Sequence, residues 1–190
     1  TTISQSGALT LSGAAATFTS TGGGTITLSD IAGGGQDVTV NTAGLTTISG
    51  TIAGIDTLTT DAPGTVSLVG PIGAASLSIN EAAPSICGSI GSGAGAISIA
   101  GAVTLCGDTI LNAVSANFGS TIDSAVGNRY ALTANMTGAF ASDAIGSIDA
   151  LSALTVSGGT TIATGSIRTA GGTAQAGGNV ALSGSGAVSA

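Results

Sequence analysis

Apolar residues in this chain alternate with Thr, Ser and Ala in short runs, and the runs recur. Val38 and Val40, Val66 and Leu68, Leu77 and Ile79, Ile97 and Ile99, and Val103 and Leu105 are pairs of alternating positions. That is the spacing of side chains on one face of a β-strand. The runs return at a fixed interval. Gly44, Gly50 and Ile52 match Gly64, Gly70 and Ile72 at 20 positions, Leu77 and Ile79 match Ile97 and Ile99 at 20, and Cys87 matches Cys106 at 19. Strand alternation repeated at such a period is the pattern of a solenoid, in which each coil buries its apolar face only by stacking on the next. Residues 37–111 therefore read as successive coils of an all-β parallel β-solenoid of about 20 residues per coil. The expected inward set is Val38, Val40, Leu58, Val66, Leu68, Leu77, Ile79, Ile97, Ile99, Val103, Leu105, Leu132, Leu154 and Val156, with Thr and Ser outward.

Away from this stretch the pattern loosens. ALTLSG from Ala8 and TITLSD from Thr25 read as strands, and the glycine runs at 22–24 and 33–35 as turns, since glycine adopts positive φ without steric cost. Ile26 and Val38 are too close in sequence to stand a full coil apart, which leaves two readings: an irregular coil, or two strands sharing one coil. Past Leu111 the period blurs through NAVSANFGSTIDSAVGNR, with a polar bend at 127–129. LTANMTGAF from Leu132 superimposes on LTTDAPGTV from Leu58 at an offset of 74, and further strands start at Leu154 and Val180. The whole, residues 1–190, is expected to be one solenoid domain of about nine or ten coils. Hairpin all-β folds are the alternative, but the Asn-Gly and Asp-Gly turns that favour tight hairpins do not occur.

Composition narrows the role. There are 33 Gly, three Phe, one Tyr and no Trp, which suits a thin core of Val, Ile, Leu and Ala better than a globular one built on large aromatics. Mean hydropathy is +0.60 and charged residues are 6%, far from the low hydropathy and high charge of disordered chains. No unbroken apolar run is long enough for a membrane helix, so no membrane insertion is expected. The net charge is −7, with Arg129 and Arg168 the only basic residues. Nucleic-acid binding, which needs several cations against phosphate, is therefore not expected. Lysine, a common protection of exposed strand edges, is absent.

Candidate chemistry is sparse. Cys87 and Cys106, one coil apart, read as a disulfide tying neighbouring coils in an oxidising compartment; the other reading is two small apolar residues stacked without a bond. A metal site lacks a third ligand near them. The acids Asp30, Asp37, Asp56, Asp61, Glu81, Asp108, Asp123, Asp143 and Asp149 mostly fall where the apolar pattern breaks, so they read as turn residues, with calcium ligation as the functional alternative. GGGQD, ending at Asp37, is similar to a Gly- and Asp-rich calcium-binding nonapeptide but occurs once. No cofactor is expected. An enzyme is not expected either: there is no His to activate a serine, and the Asp56 and Asp61 pair has no aromatic sugar platform beside it. Arg129 and Tyr130 read as a surface bend. Ice-binding TxT ranks are not expected, because TLTT, TITL and ATFT do not line up at constant spacing.

LTTDAPGTVSLVGPIGAASLSI and GSIRTAGGTAQAGGNVALSGSGAV, with their alternating L-T-V strands, A-x-G turns and I-x-T-x-GG segments, resemble the repeats of large secreted bacterial adhesins of the filamentous-haemagglutinin and autotransporter-passenger kinds. The resemblance extends over nearly the whole chain. It implies a right-handed parallel β-helix, exported to the cell surface of a bacterium and forming a shaft, and it carries over no catalytic residue. The expected function is a non-enzymatic extracellular structural shaft or filament subunit. The alternative is an adhesin module that binds a host or neighbouring-cell surface or glycan through its lateral face, with 112–131 as the candidate inserted loop. Both ends read as cuts in a longer or processed protein, and neither TTISQSGALTLSG nor VALSGSGAVSA looks like a solenoid cap. Solenoid ends need covering, so head-to-tail self-association is expected, between Leu9 and Leu11 at one end and Val180 and Leu182 at the other.

Overall fold

The computed structural model describes residues 1–60, 63–91, 95–170 and 176–189. Among them there is no helix, and short strands pair in parallel from coil to coil as a β-solenoid of about 8 turns. Each coil visits three strand positions. The first face is the seven-stranded sheet, running from Ile3–Ser4 through Ile26–Leu28, Leu45–Ile48, Thr65–Leu68, Ser85–Ile86 and Val103–Leu105 to Ile122–Ser124. Its stack continues as bridges Ile122↔Ile145 and Ile145↔Ile167. The second and third faces form one larger sheet, because strands such as Ile52–Thr60 and Ala153–Ala163 run across the corner between them. Both corner-crossing strands bend at a glycine of positive φ, Gly54 and Gly158.

On the second face one inward column runs Leu9, Ile31, Ile52, Ile72, Ile90, Leu111, Ala134, Val156, Leu182. On the third face Val38, Leu58, Leu77, Ile97, Ala116, Phe140 and Ile162 stack in the same way. All fourteen side chains expected to point inward are buried. The core is a narrow column of aliphatic side chains, each of which contributes roughly 1.5–3 kcal/mol on burial.

These registers explain the irregular parts of the sequence. Ile26 and Val38 lie on the first and third faces of one coil, so the short step between them is two strands sharing a coil. Coil length is not constant. On the first face Thr27, Thr47 and Ser67 are evenly spaced in sequence, and Ser85, Thr104 and Asp123 follow at slightly shorter steps. Beyond that the steps lengthen, from Ile122 to Ile145 and from Ile145 to Ile167. The period blurs because the coils widen. The wider section is filled by Phe118, Met136, Phe140 and Leu151, with the two Phe rings 5.7 Å apart.

Two expectations are corrected. The offset of 74 equates different faces: Leu132 stacks between Thr109 and Leu154 on the second face, whereas Leu58 lies on the third. An offset spanning coils of unequal length does not return to the same position. Thr is also not confined to the outside. Thr42, Thr46, Thr60 and Thr109 are buried, Thr46 standing between Ile26 and Val66 in the first-face column. A β-branched Thr fills the volume of Val there, and two of these hydroxyls bond locally, Thr109 Oγ1 donating to Gly107 O at 3.1 Å and Thr42 Oγ1 accepting the Gly44 N–H at 3.1 Å.

The repeated glycines have a packing cause. A Cβ on Gly64 would strike Gly44 O, and one on Gly70 would strike Gly50 O. At these corners the backbones of adjacent coils touch.

Candidate functional site

Four of the aspartates act between coils. Asp30 Oδ1 accepts the Thr51 N–H at 2.7 Å, Asp37 Oδ1 that of Thr57 at 3.1 Å, and Asp108 Oδ1 that of Ala131 at 2.8 Å. Asp123 Oδ1 accepts Ile148 N–H at 2.7 Å and Asp149 N–H at 3.3 Å. Each carboxylate thus takes up a backbone donor of the next coil where the strand ladder is interrupted at a corner. Such charge-assisted bonds are stronger than neutral ones. Glu81 is buried at 2% exposure, and its Oε2 accepts the Thr60 hydroxyl at 2.6 Å. Asp61, and with it the Asp56–Asp61 pair, lies outside the described residues. Among the described residues no three acidic, Cys or His side chains converge on a common point. At Gly33–Asp37 the Gln36 side chain closes a local turn on Gly34 N and O.

The two arginines do the complementary task. Arg129 donates to Leu151 O at 3.1 Å, to Ala176 O at 3.2 Å and to Thr169 O. Arg168 donates to Gly146 O at 2.7 Å and to Ile148 O. The expected surface bend at Arg129 is thus a guanidinium fork holding carbonyls of successive coils.

Cys87 and Cys106 are joined by a disulfide across adjacent coils, with Cα atoms 4.5 Å apart. Their N–H groups continue the first-face ladder, to Leu68 O and Ile86 O, one residue beyond the buried Ile86 and Leu105. The pair is therefore on the outer side of the face, half-buried.

Laterally, the surface is a set of ranks. Ser4, Thr27, Thr47, Ser67, Ser85 and Thr104 form one unbroken hydroxyl column on the first face. Hydroxyls therefore do line up over these six coils; the unequal coil lengths hid the alignment in the sequence. A flanking rank is broken by Leu45, which stands opposite Thr65. On the second face Asn112, Asn135 and Ser157 form a bonded ladder, with Asn135 Nδ2 donating to Asn112 Oδ1 at 2.9 Å and Ser157 Oγ to Asn135 Oδ1 at 3.0 Å. Segment 112–131 is not an inserted loop. It carries the regular strands Ser115–Phe118 and Ile122–Ser124, followed by a turn in which Val126 is 85% exposed. A shallow cleft of about 550 Å³ lies where three coils turn from the third face to the first, lined by Asn117, Phe118, Ser142, Asp143 and Thr164 among others. The Ser142 hydroxyl in it is buried without a hydrogen-bond partner.

At the two ends the expected self-association residues occupy particular places. Leu9 and Leu182 share one inward column, both partly buried. Leu11 is partly buried one inward position further along, its N–H bonded to Ala32 O at 2.8 Å, and Val180 is 47% exposed in the column of Leu132 and Leu154. No charged side chain occurs in 1–29 or in 169–190. Compared with known protein families, with curated proteins and with solved structures, the chain gives no match.

Proposed function

We propose that this chain is a non-enzymatic, extracellular structural shaft or filament subunit, extended by axial stacking of solenoid coils. One observation carries the reading: the bonded aspartates and arginines are spent on coil-to-coil contacts, and the first face beside them is an unbroken lateral column of hydroxyls, Ser4, Thr27, Thr47, Ser67, Ser85 and Thr104. Asp30, Asp37, Asp108, Asp123, Arg129 and Arg168 each hold backbone of a neighbouring coil. Coils of this kind extend by pairing strand edge to strand edge, and a head-to-tail contact that does not close produces a filament. The disulfide supports an oxidising compartment, and the likeness to secreted adhesin repeats supports a bacterial cell surface. Sedimentation of the purified chain over a concentration series tests this: growing polymers support it, and a monomer at every concentration overturns it.

A second reading has a specific support. The corner cleft gathers Asn117 and Asp143, both exposed, with Thr164 beside them, a set suited to a hydroxyl-rich ligand such as a glycan end. A glycan array with wild type and Asp143→Asn tests the adhesin reading; no binding by wild type rejects it.

A further inference from the structure

The coil that contains Cys87 is thinly laddered to the coils on either side. Its first-face strand, Ser85–Ile86, has two residues, against four in Thr65–Leu68 before it and three in Val103–Leu105 after it. Pro84 leads into that strand. The carbonyls of Pro84 and Ile86 face the following coil, where they accept the Thr104 and Cys106 N–H groups at 2.9 Å. In a parallel ladder the N–H and C=O of one residue serve the same neighbouring strand, so the Pro84 nitrogen faces that coil too, and proline has no hydrogen to donate. Glu81, earlier in the same coil, is 2% exposed, with its Oε2 on the Thr60 hydroxyl at 2.6 Å. A carboxyl is costly to hold away from water even when it is bonded, and opening of this coil returns it to solvent.

Against these features stand four buried isoleucines, Ile86, Ile90, Ile97 and Ile99, and one covalent bond. The Cys87–Cys106 disulfide ties this coil to the next across 19 residues of chain. It lies just past Pro84, on the outer side of the first face, and is half-buried.

We infer that this disulfide is a redox-sensitive clamp. Oxidised, it holds the Cys87 coil shut. Reduced by an external dithiol, it lets that coil open locally while the coils before and after stay folded. Solenoid coils contact only their neighbours, and proteins open in such contiguous units. The pairing of Leu45–Ile48 with Thr65–Leu68, and of Thr109–Ala113 with Ala131–Met136, does not pass through the clamped coil.

The chemistry is thiol–disulfide exchange. One thiolate of the dithiol attacks a cysteine sulfur, the S–S bond breaks, and the other cysteine leaves as a thiolate. The second thiolate of the dithiol then closes its own disulfide and releases the first cysteine. Two electrons and two protons pass to the chain, which ends with two thiols. For a closed loop of this length, release raises the opening equilibrium about a hundredfold in the chain-entropy account.

The experiment is hydrogen exchange read by mass spectrometry on the native chain, before and after dithiothreitol without denaturant, with alkylation to count the thiols. C87S/C106S, measured without reductant, is the control for the reagent. The expected result is exchange about a hundredfold faster in 81–91 and 95–106, with 27–58 and 132–157 unchanged, in the reduced chain and in C87S/C106S alike. Equal loosening of all these segments, loosening confined to the outer ones, or no loosening anywhere overturns the clamp. So does a bond that dithiothreitol fails to reduce in the folded chain.

Discussion

Ile99 is the sharpest test of the coil register. Its side chain is 1% exposed and stacks in one column between Ile79 below and Phe118 above, while its neighbour Ser98 points outward and is exposed. Ile99→Ala removes methyl and methylene groups from a column walled by other coils and leaves a cavity, at a cost of about 2–5 kcal/mol. Ser98→Ala, one residue away, is expected to change stability by no more than about 0.5 kcal/mol. Against a total stability of roughly 5–15 kcal/mol for a domain, the first loss is large. With a urea m-value of about 2 kcal/mol per molar, the middle of the usual range, it lowers the midpoint by about 1–2.5 M. The chain has no Trp and a single Tyr, so the assay is far-UV circular dichroism of the strand signal against urea. Ile99→Asp, which places an unpaired charge in the same column, is expected to unfold the adjoining coils altogether. Because side chains alternate faces at every residue, a one-residue slip would exchange the roles of 98 and 99. Equal small effects of Ile99→Ala and Ser98→Ala, or a larger effect at Ser98, would refute the register.

Other consequences follow from the same contacts. Replacing Cys87 and Cys106 together by Ser is expected to cost about 3 kcal/mol in the chain-entropy account, and mass spectrometry of material never exposed to reductant should find no free thiol. Gly64→Ala drives a methyl into Gly44 O and Thr42 O and should lower stability by about 1–3 kcal/mol in the same urea assay, whereas Gly7→Ala, with open space at its Cβ and no positive φ, should change it little. Arg129→Ala frees the carbonyls of Leu151, Thr169 and Ala176 and should cost about 2–3 kcal/mol. Arg129→Lys should restore little of that, because an ammonium cannot reproduce the planar fork; hydrogen exchange at 151–170 reads the local loosening.

What could be read from the chain before its fold was the part that short-range physics repeats. Period-two alternation placed Leu77, Ile79, Ile97 and Ile99 inward, and near-constant coil length there made the match of Leu77 to Ile97 and of Ile79 to Ile99 visible. Gly44 and Gly64 were visible as a repeat for a reason that only the fold supplies, the contact of backbones at a corner. Beyond Leu111 alternation still placed Leu132, Leu154 and Val156 inward, but the longer coils there shift every later comparison, so Leu132 was matched to a residue on another face. Buried Thr46 and Glu81 were missed because the type of a residue does not show that its oxygen finds a partner inside. The role of Arg129 depends on carbonyls 22, 40 and 47 residues away, a separation at which local pattern carries no information. The outward side of the disulfide follows from its place one residue past Ile86 and Leu105, a parity that was present in the sequence.

Cryo-electron microscopy of the concentrated, disulfide-intact chain tests the central claim most directly. The second-face stack holds nine strand levels from Leu9 to Leu182, and parallel strands stack at about 4.8 Å, so axial stacking predicts unbranched filaments with one chain per roughly 43 Å of length. Discrete particles of one chain each, at every concentration and with both end coils ordered, would contradict it.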